Sequence, residues 1–175
     1  MKPMMSSYHT ATSKMAHFIN RLIRPLMDPS KYRSIIVNEA DFIQKLNHYT
    51  YVEHHLQPTT LFATINISNF HTMASHKSMI DVLGYFLSDH LATYNLQYTS
   101  VMTTKPQDIS ISTIKILTEL FLANNIFYYN GKIYGFGKGG PTSLQLSETL
   151  SDIYLFIWQK NILEDPRLKN ELYCR

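Results

Sequence analysis

The chain has 175 residues, 45% of them hydrophobic and 17% charged, which is typical of a folded globular protein and excludes a disordered one. No apolar run approaches the roughly 18 residues of a membrane-spanning helix, no secretory signal is evident, and the one cysteine cannot form an internal disulfide. We therefore expect an intracellular protein without membrane contact, in the nucleus or the cytoplasm, whose net charge of +3 permits a nucleic-acid partner without demanding one.

The first predicted element is an amphipathic helix over residues 12–26. Its apolar residues recur at helical spacing, and they are Met15, Phe18, Ile19, Leu22, Ile23 and Leu26. The opposite face carries a cationic stripe of Lys14, His17, Arg21 and Arg24. A solvated surface is the simpler interpretation of this stripe, and contact with phosphate groups is the functional one.

Three further elements are predicted before residue 70. Residues 34–37 are expected to be extended, and Asn38 followed by Asp41 indicates the start of a second amphipathic helix. Residues 60–67 are uncharged and rich in β-branched and aromatic side chains. This segment predicts a buried strand.

Helical spacing returns in the second half of the chain. Residues 79–91 predict a third helix of about four turns, and residues 93–110 are polar and predict an exposed, irregular insertion. A fourth helix is expected from residue 111 to the pair Asn124 and Asn125.

The clearest local signal is a β-hairpin over residues 126–134. Asn130-Gly131 lies between two apolar runs, and this pair favours a type I′ turn because both residues tolerate positive φ. The glycine-rich residues 135–140 lead into a last helix. Its predicted buried residues are Leu146, Leu150, Ile153, Tyr154, Ile157 and Trp158. The predicted class is α+β, helix-rich with a small antiparallel sheet.

Three segments resemble Penelope-like retroelement reverse transcriptases, and they occur in the family's order. The fingers-like part comprises residues 2–7, 13–14 and 18–26. Residues 60–73 are similar to motif A, which in the family is close to T-L-F-x-T-F-D-I-x-x-L-Y-T-M. Residues 125–134, 139–140 and 150–154 resemble the hairpin, motif B and the helix that follows.

The resemblance implies a partial right-hand polymerase fold. Residues 1–58 would form a fingers-like helical segment, and residues 59–175 a partial palm with motifs A and B. The implied activity is RNA-directed DNA polymerisation on a template-primer of RNA or DNA. Such enzymes hold two Mg²⁺ ions with aspartates from motif A and from a later Y-x-D-D hairpin.

The chain departs from the family at the positions that carry this chemistry. Asn66 stands at the motif A aspartate position, and His71 at that of the tyrosine that packs under the nucleotide sugar. Gly139 and Gly140 match the first glycines of motif B, whose M-G-S-P part is absent. No Y-x-D-D sequence occurs up to Arg175. We therefore expect no bound metal and no polymerase activity, because a neutral amide does not offset phosphate charge.

Contacts to nucleic acid are still expected from a few residues. The candidates are Lys14, Arg21, Arg24, Lys138, Gly139 and Gly140. The alternatives are a repurposed, non-catalytic nucleic-acid-binding module and a fragment of a longer active polymerase. A zinc protein built on His54, His55, His71 and His76 is a weaker alternative than surface or packing histidines, because their spacing matches no common ligand pattern.

The missing Y-x-D-D hairpin also has a consequence for folding. In the family that hairpin pairs with the motif A strand, so residues 61–67 would present an apolar, uncharged sheet edge. Such an edge favours pairing with other chains. We expect marginal stability and self-association.

Overall fold

A computed structural model describes residues 12–27, 32, 34–97, 111–165, 168 and 171–175. The fingers-like opening at residues 2–7 and residues 98–110 of the predicted insertion lie outside these ranges. Within them the helices are α1 Ser13–Ile23, α2 Glu39–Asn47, α3 His76–Gln97, α4 Ile111–Ala123 and α5 Gln145–Leu163, and the strands are β1 Ile126–Tyr129 and β2 Lys132–Gly135. The described chain is therefore helix-rich α+β with a two-stranded antiparallel sheet, as predicted.

The chain divides into two compact units. Unit 1 contains the described residues of Met1–Leu26 and Ser68–Ile157, and unit 2 contains those of Met27–Ile67 and Trp158–Arg175. These units are defined by how the chain packs. The predicted division into residues 1–58 and 59–175 is defined by the sequence motifs instead, and it stays a prediction.

The core of unit 1 is formed by one apolar side of each of its helices. The largest fully buried apolar residues are Ile19, Ile23, Leu83, Phe86, Leu87, Phe121, Leu122, Leu146, Leu150 and Ile153. Helices α1 and α3 both pack against α4. Burial of such side chains contributes about 1.5–3 kcal/mol each, so this core is the main source of stability for unit 1.

The first helix forms as its periodicity predicts. It buries Ile19 and Ile23, and it continues into a turn of 3₁₀ helix over Arg24–Met27. Pro25 lies within that turn, where the missing N–H of proline ends the α-helical hydrogen-bond pattern. The whole cationic stripe is exposed.

The predicted hairpin is confirmed, including its turn. Residues Ile126–Tyr129 pair with Lys132–Gly135 in antiparallel register, with Phe127 opposite Tyr134. The φ angles of Asn130 and Gly131 are 47° and 77°, as a type I′ turn requires.

Two details of the later helices differ from prediction. The third helix extends to Gln97, so residues 93–97 are helical and not part of an irregular insertion. In α5, Trp158 is exposed, and Gln159 is buried. The apolar pattern predicted that Trp158 is buried, and this is wrong. Gln159 is buried with a polar partner, Tyr173, whose hydroxyl donates to Gln159 Oε1 at 3.2 Å.

The buried strand predicted at residues 60–67 is wrong. These residues form no strand, and Leu61, Phe62 and Ile65 are 92%, 75% and 75% exposed. A strand is stabilised by backbone hydrogen bonds to a neighbouring strand, and the described residues supply none here. Residues 61–67 are therefore an exposed apolar segment and not a sheet edge.

Unit 2 begins with the predicted extended piece and a capped helix. Asn38 Oδ1 accepts a hydrogen bond from the backbone N–H of Asp41 at 2.9 Å, which satisfies a donor in the first turn of α2. Lys45 Nζ donates to Asp41 Oδ2 at 2.7 Å and lowers the pKa of that carboxyl group. The extended piece is held at Ile36, whose N–H donates to Arg175 O at 2.8 Å.

Tyr49 anchors the polypeptide beyond α2. It lies in a π-helical turn over His48–Val52, its ring is buried, and its hydroxyl donates to Glu171 Oε2 at 2.9 Å. Burial first, and then the hydrogen bond and negative charge of Glu171, raise the pKa of Tyr49 above its ordinary 10.0. The hydroxyl therefore keeps its proton in the folded chain at a pH where an unfolded chain has lost it.

This shift predicts a loss of stability in alkali. The contribution of Tyr49 is fully present below pH 10 and falls as the pH rises past 10 towards the folded pKa. Tyr49→Phe should weaken folding by about 1 kcal/mol at neutral pH and flatten the alkaline decline in urea unfolding followed between pH 8 and 11. Tyr51→Phe is the matched control, because Tyr51 is exposed. Equal alkaline slopes for the two variants would contradict the assignment.

Candidate functional site

The motif A-like segment ends in a short turn that packs against the glycine-rich loop of residues 135–140, here called the glycine loop. The turn is 3₁₀ helix over Phe70–Thr72. The N–H of Gly140 donates to His71 O at 3.2 Å, and the N–H of Gly139 donates to Ala74 O at 3.0 Å. The structure therefore joins the two motif-like segments by backbone hydrogen bonds.

His76 adds a third bond to this junction. Its Nε2 lies 2.9 Å from Gly139 O, a residue 63 positions away in the sequence. With this contact, Gly139 is bonded through both its N–H and its carbonyl group. The glycine loop is therefore fixed at its C-terminal end by the start of α3.

Only glycine fits at position 139. Its φ is 58°, and a Cβ atom there would lie 1.7 Å from the backbone oxygen of His71. Neither the backbone angle nor the distance is compatible with a side chain. Glycine at this position of the motif B-like segment is thus explained by close backbone approach to the turn.

Gly140 is closely packed on its other side. A Cβ atom there would lie 2.5 Å from Ser147 Oγ, a buried hydroxyl in the first turns of α5. Lys138 precedes these glycines and is exposed. The loop therefore presents one cation to solvent while its two last glycines lie in the packed interior.

His71 belongs to the same cluster. Its ring is half-buried and meets the ring of Phe70 edge to face, with 5.3 Å between centroids. Its Nδ1 is buried without a hydrogen-bond partner within the described ranges. The candidates that the structure brings together are therefore His71, Gly139 and Gly140, with Lys138 next to them along the chain.

Asn66 is placed differently. It is exposed, it lies in the apolar segment of residues 61–67, and it belongs to unit 2, whereas His71 belongs to unit 1. Its amide makes no hydrogen bond in the part of the chain that the structure describes. The two positions that correspond to the family's motif A chemistry thus lie in separate compact units.

The cationic stripe is connected to α5 through a polar network. Arg24 Nη1 donates to Thr149 Oγ1 at 3.2 Å, and Thr149 Oγ1 donates to Asn20 Oδ1 at 2.7 Å. Asn20 Nδ2 completes the chain by donating to Gln145 Oε1 at 3.4 Å. Arg24 is therefore oriented by protein contacts, while Lys14 and Arg21 extend into solvent.

The stripe and the glycine loop contact different sides of α5. Gln145 and Thr149 are four residues apart and share one face, which meets α1. Ser147, which lies next to Gly140, is two positions from both Gln145 and Thr149. It therefore points away from their face, at a rotation of about 200° around the helix axis. The predicted nucleic-acid contacts therefore form two clusters and not one continuous site.

Sequence reasoning missed the polar residues that hold these clusters. Asn20 lies on the buried face of α1, so a polar residue within an apolar stripe was the available signal for the α1–α5 network. His76 had no local signal, because its contact with Gly139 depends on long-range folding.

The residues present do not fit the metal site of the family. Asn66 is neutral, and within the described ranges no group of three or more His, Cys, Asp or Glu residues is arranged to hold a metal ion. The carboxylates of Asp81 and Asp89 on α3 and of Asp152 on α5 form no such group either. Absence of a metal cofactor stays a prediction.

Two histidines converge on one carboxylate in unit 2. His48 Nε2 lies 3.3 Å from Glu53 Oε1, and His55 Nδ1 lies 3.6 Å from Glu53 Oε2. The ring of His55 also meets Tyr49 edge to face at 5.5 Å between centroids. His55 therefore packs against Tyr49 and lies near the carboxylate of Glu53, while its neighbour His54 is exposed at a φ of 57°.

Comparison with known proteins assigns the chain to no family. No protein-family model, no curated protein and no solved structure matches the chain. Among the described helices, none has the length and apolar character needed to cross a bilayer.

Proposed function

We propose that the chain is a degenerate reverse-transcriptase-like domain of retroelement origin that contacts nucleic acid and does not transfer nucleotides. The observation that carries this proposal is the junction between the two motif-like segments. His71 and Gly139, far apart in sequence, lie in direct contact, which is expected if both segments once served one site. The motif resemblance supplies the class, RNA-directed DNA polymerases.

The absence of catalysis is inferred from the chemistry of Asn66. Two-metal nucleotidyl transfer needs anionic oxygen ligands that hold Mg²⁺ and offset the charge of the transferring phosphate. An exposed amide supplies a neutral oxygen and no charge. Within the described ranges no group of three or more His, Cys, Asp or Glu residues is arranged to hold a metal ion in its place.

Binding is assigned to the exposed cations. Lys14 and Arg21 extend from the solvent side of α1, and Arg24 is held beside them by Thr149. Contacts of this kind recognise the phosphate backbone without reading sequence. The expected ligand is a template-primer duplex of RNA or DNA.

The proposal predicts salt-dependent binding of a primer-template duplex. In fluorescence anisotropy titrations at 50, 100 and 200 mM NaCl, affinity should fall steeply, because bound cations are released from the duplex. The double variant Lys14→Gln/Arg21→Gln should lower the slope of log Kd against log salt by about two, one for each lost phosphate contact. Lys160→Gln is the matched control, since Lys160 is paired with Glu164 at 3.9 Å.

The same samples test catalysis. With Mg²⁺ and all four deoxynucleotides, no primer extension should be detected. Extension by the unaltered chain would overturn the proposed lack of activity, and salt-independent or undetectable duplex binding would overturn the proposed contact with nucleic acid.

A further inference from the structure

The hairpin has two faces of different chemistry. Partners in an antiparallel pair project to the same side, and successive residues alternate between sides. One side carries Ile126, Tyr128 and Ile133 and is here called the apolar face. The other side, the aromatic face, carries the pairs Phe127–Tyr134 and Tyr129–Lys132.

The inner pair of the aromatic face is a stacked platform. The rings of Phe127 and Tyr134 are 5.4 Å apart and inclined by 22°, and Phe136 packs against Phe127 at 5.6 Å. Tyr134 nevertheless remains exposed to solvent. The ring is thus oriented by its neighbours while part of its surface stays accessible.

The outer pair places a second aromatic ring beside a cation. Tyr129 is 67% exposed and lies directly opposite Lys132, which is also exposed. Tyr134 belongs to the neighbouring pair on the opposite strand, so Tyr129 and Tyr134 are diagonal neighbours, about 7–8 Å apart. The aromatic face therefore offers two accessible rings at this spacing and an ammonium group at its outer end.

The charged residues of the segment that contains the hairpin are all cationic. Residues 120–147 contain two charged side chains, Lys132 and Lys138, and no acidic residue. Both lysines are exposed. An anionic ligand therefore meets no repulsion along this part of the chain.

We propose that the aromatic face binds single-stranded nucleic acid. Bases stack on Tyr129 and Tyr134, and the phosphates between and beyond them contact Lys132 and Lys138. Aromatic rings on a sheet with flanking cations are a general means of holding unpaired bases, which expose the π surface that a duplex conceals.

This inference deepens the proposed function but uses other residues. Lys14 and Arg21 would contact the backbone of a duplex, whereas the aromatic face requires unstacked bases. Experiments can therefore disprove duplex binding by α1 and single-strand binding by the aromatic face separately. The aromatic face also differs from the apolar face, which has no cation and would suit a protein partner instead.

The test compares two tyrosines on the same strand. Tyr129→Ala removes a ring of the aromatic face, and Tyr128→Ala removes an equally exposed ring, 73% accessible, from the apolar face. Each variant of the full chain is titrated with fluorescein-labelled 15-nucleotide single strands of DNA and RNA, and with the matching duplexes. Size-exclusion chromatography with light scattering gives the oligomeric state.

We expect Tyr129→Ala to weaken single-strand binding about tenfold, as loss of one base–aromatic stack does, with Tyr128→Ala unchanged. Lys132→Gln should reduce the salt dependence of the same binding. Equal losses for both tyrosine variants, or no single-strand binding by the unaltered chain, would overturn the proposal. So would dissociation of an oligomer by Tyr129→Ala, since the face would then hold a second copy.

Discussion

Replacing Gly139 with alanine should destabilise the chain by more than about 3 kcal/mol, enough to unfold a marginally stable protein. The added methyl group would meet the backbone oxygen of His71 at 1.7 Å, and a backbone carbonyl cannot rotate away as a flexible side chain does. The φ of 58° adds backbone strain for any residue with a Cβ atom. Urea unfolding followed by circular dichroism measures the loss, and complete failure to fold is the limiting case.

Substitutions at two other glycines separate the effect of the steric clash from the effect of a positive φ. Gly137→Ala should be nearly neutral, because no atom lies within 4 Å of the added group and its φ is not positive. Gly131→Ala should cost about 1 kcal/mol, because its φ is 77° but the space around it is open. Should Gly139→Ala unfold at the same urea concentration as Gly137→Ala, the junction between His71 and the glycine loop does not exist in solution.

A charged residue introduced into the exposed apolar segment, residues 61–67, should prevent most of the self-association of the chain. Residues 61–67 have no charged side chain, no proline and no glycine, and most of the surface of Leu61, Phe62 and Ile65 is exposed. Uncharged segments of this length and composition pair readily with copies of themselves. Ile65→Lys places a repulsive charge in every copy, and we expect the aggregation rate at 37 °C to fall at least about tenfold.

The stability of the folded chain should be unaffected by that change, because the side chain of Ile65 is 75% exposed. Ile65→Val, which keeps the apolar character, is the control and should aggregate like the unaltered chain. Light scattering against time and urea unfolding of the same samples separate the two effects. Unchanged aggregation of Ile65→Lys would move the origin of self-association to another surface, such as the apolar face of the hairpin.

The sequence correctly predicted those elements that depend on interactions between residues a few positions apart. The helical spacing of α1 and the Asn130-Gly131 turn depend on residues a few positions apart, so the sequence alone was sufficient for them. The same is true of the N-terminal cap of α2, where Asn38 accepts from Asp41. For these elements the expected and observed residues agree within a few positions.

The errors concern interactions between distant segments. Residues 60–67 have strand-forming side chains, but a strand also requires a partner, which composition does not reveal. Trp158 is exposed where its spacing predicted burial, and the buried Gln159 accepts a hydrogen bond from the hydroxyl of Tyr173, a contact that local patterns do not reveal. Within the candidate site, the glycines were identified from the motif resemblance, whereas their contact with His71 and His76 became visible only in the fold.

The continuity of α5 limits how the protein can be dissected. The boundary between the compact units falls between Ile157 and Trp158, in the middle of a helix that runs from Gln145 to Leu163. A cut there would leave four carbonyl groups on one fragment and four amide groups on the other without their helical partners. Proteolysis should therefore yield no stable fragment ending at this boundary, and either unit expressed alone would need the whole of α5.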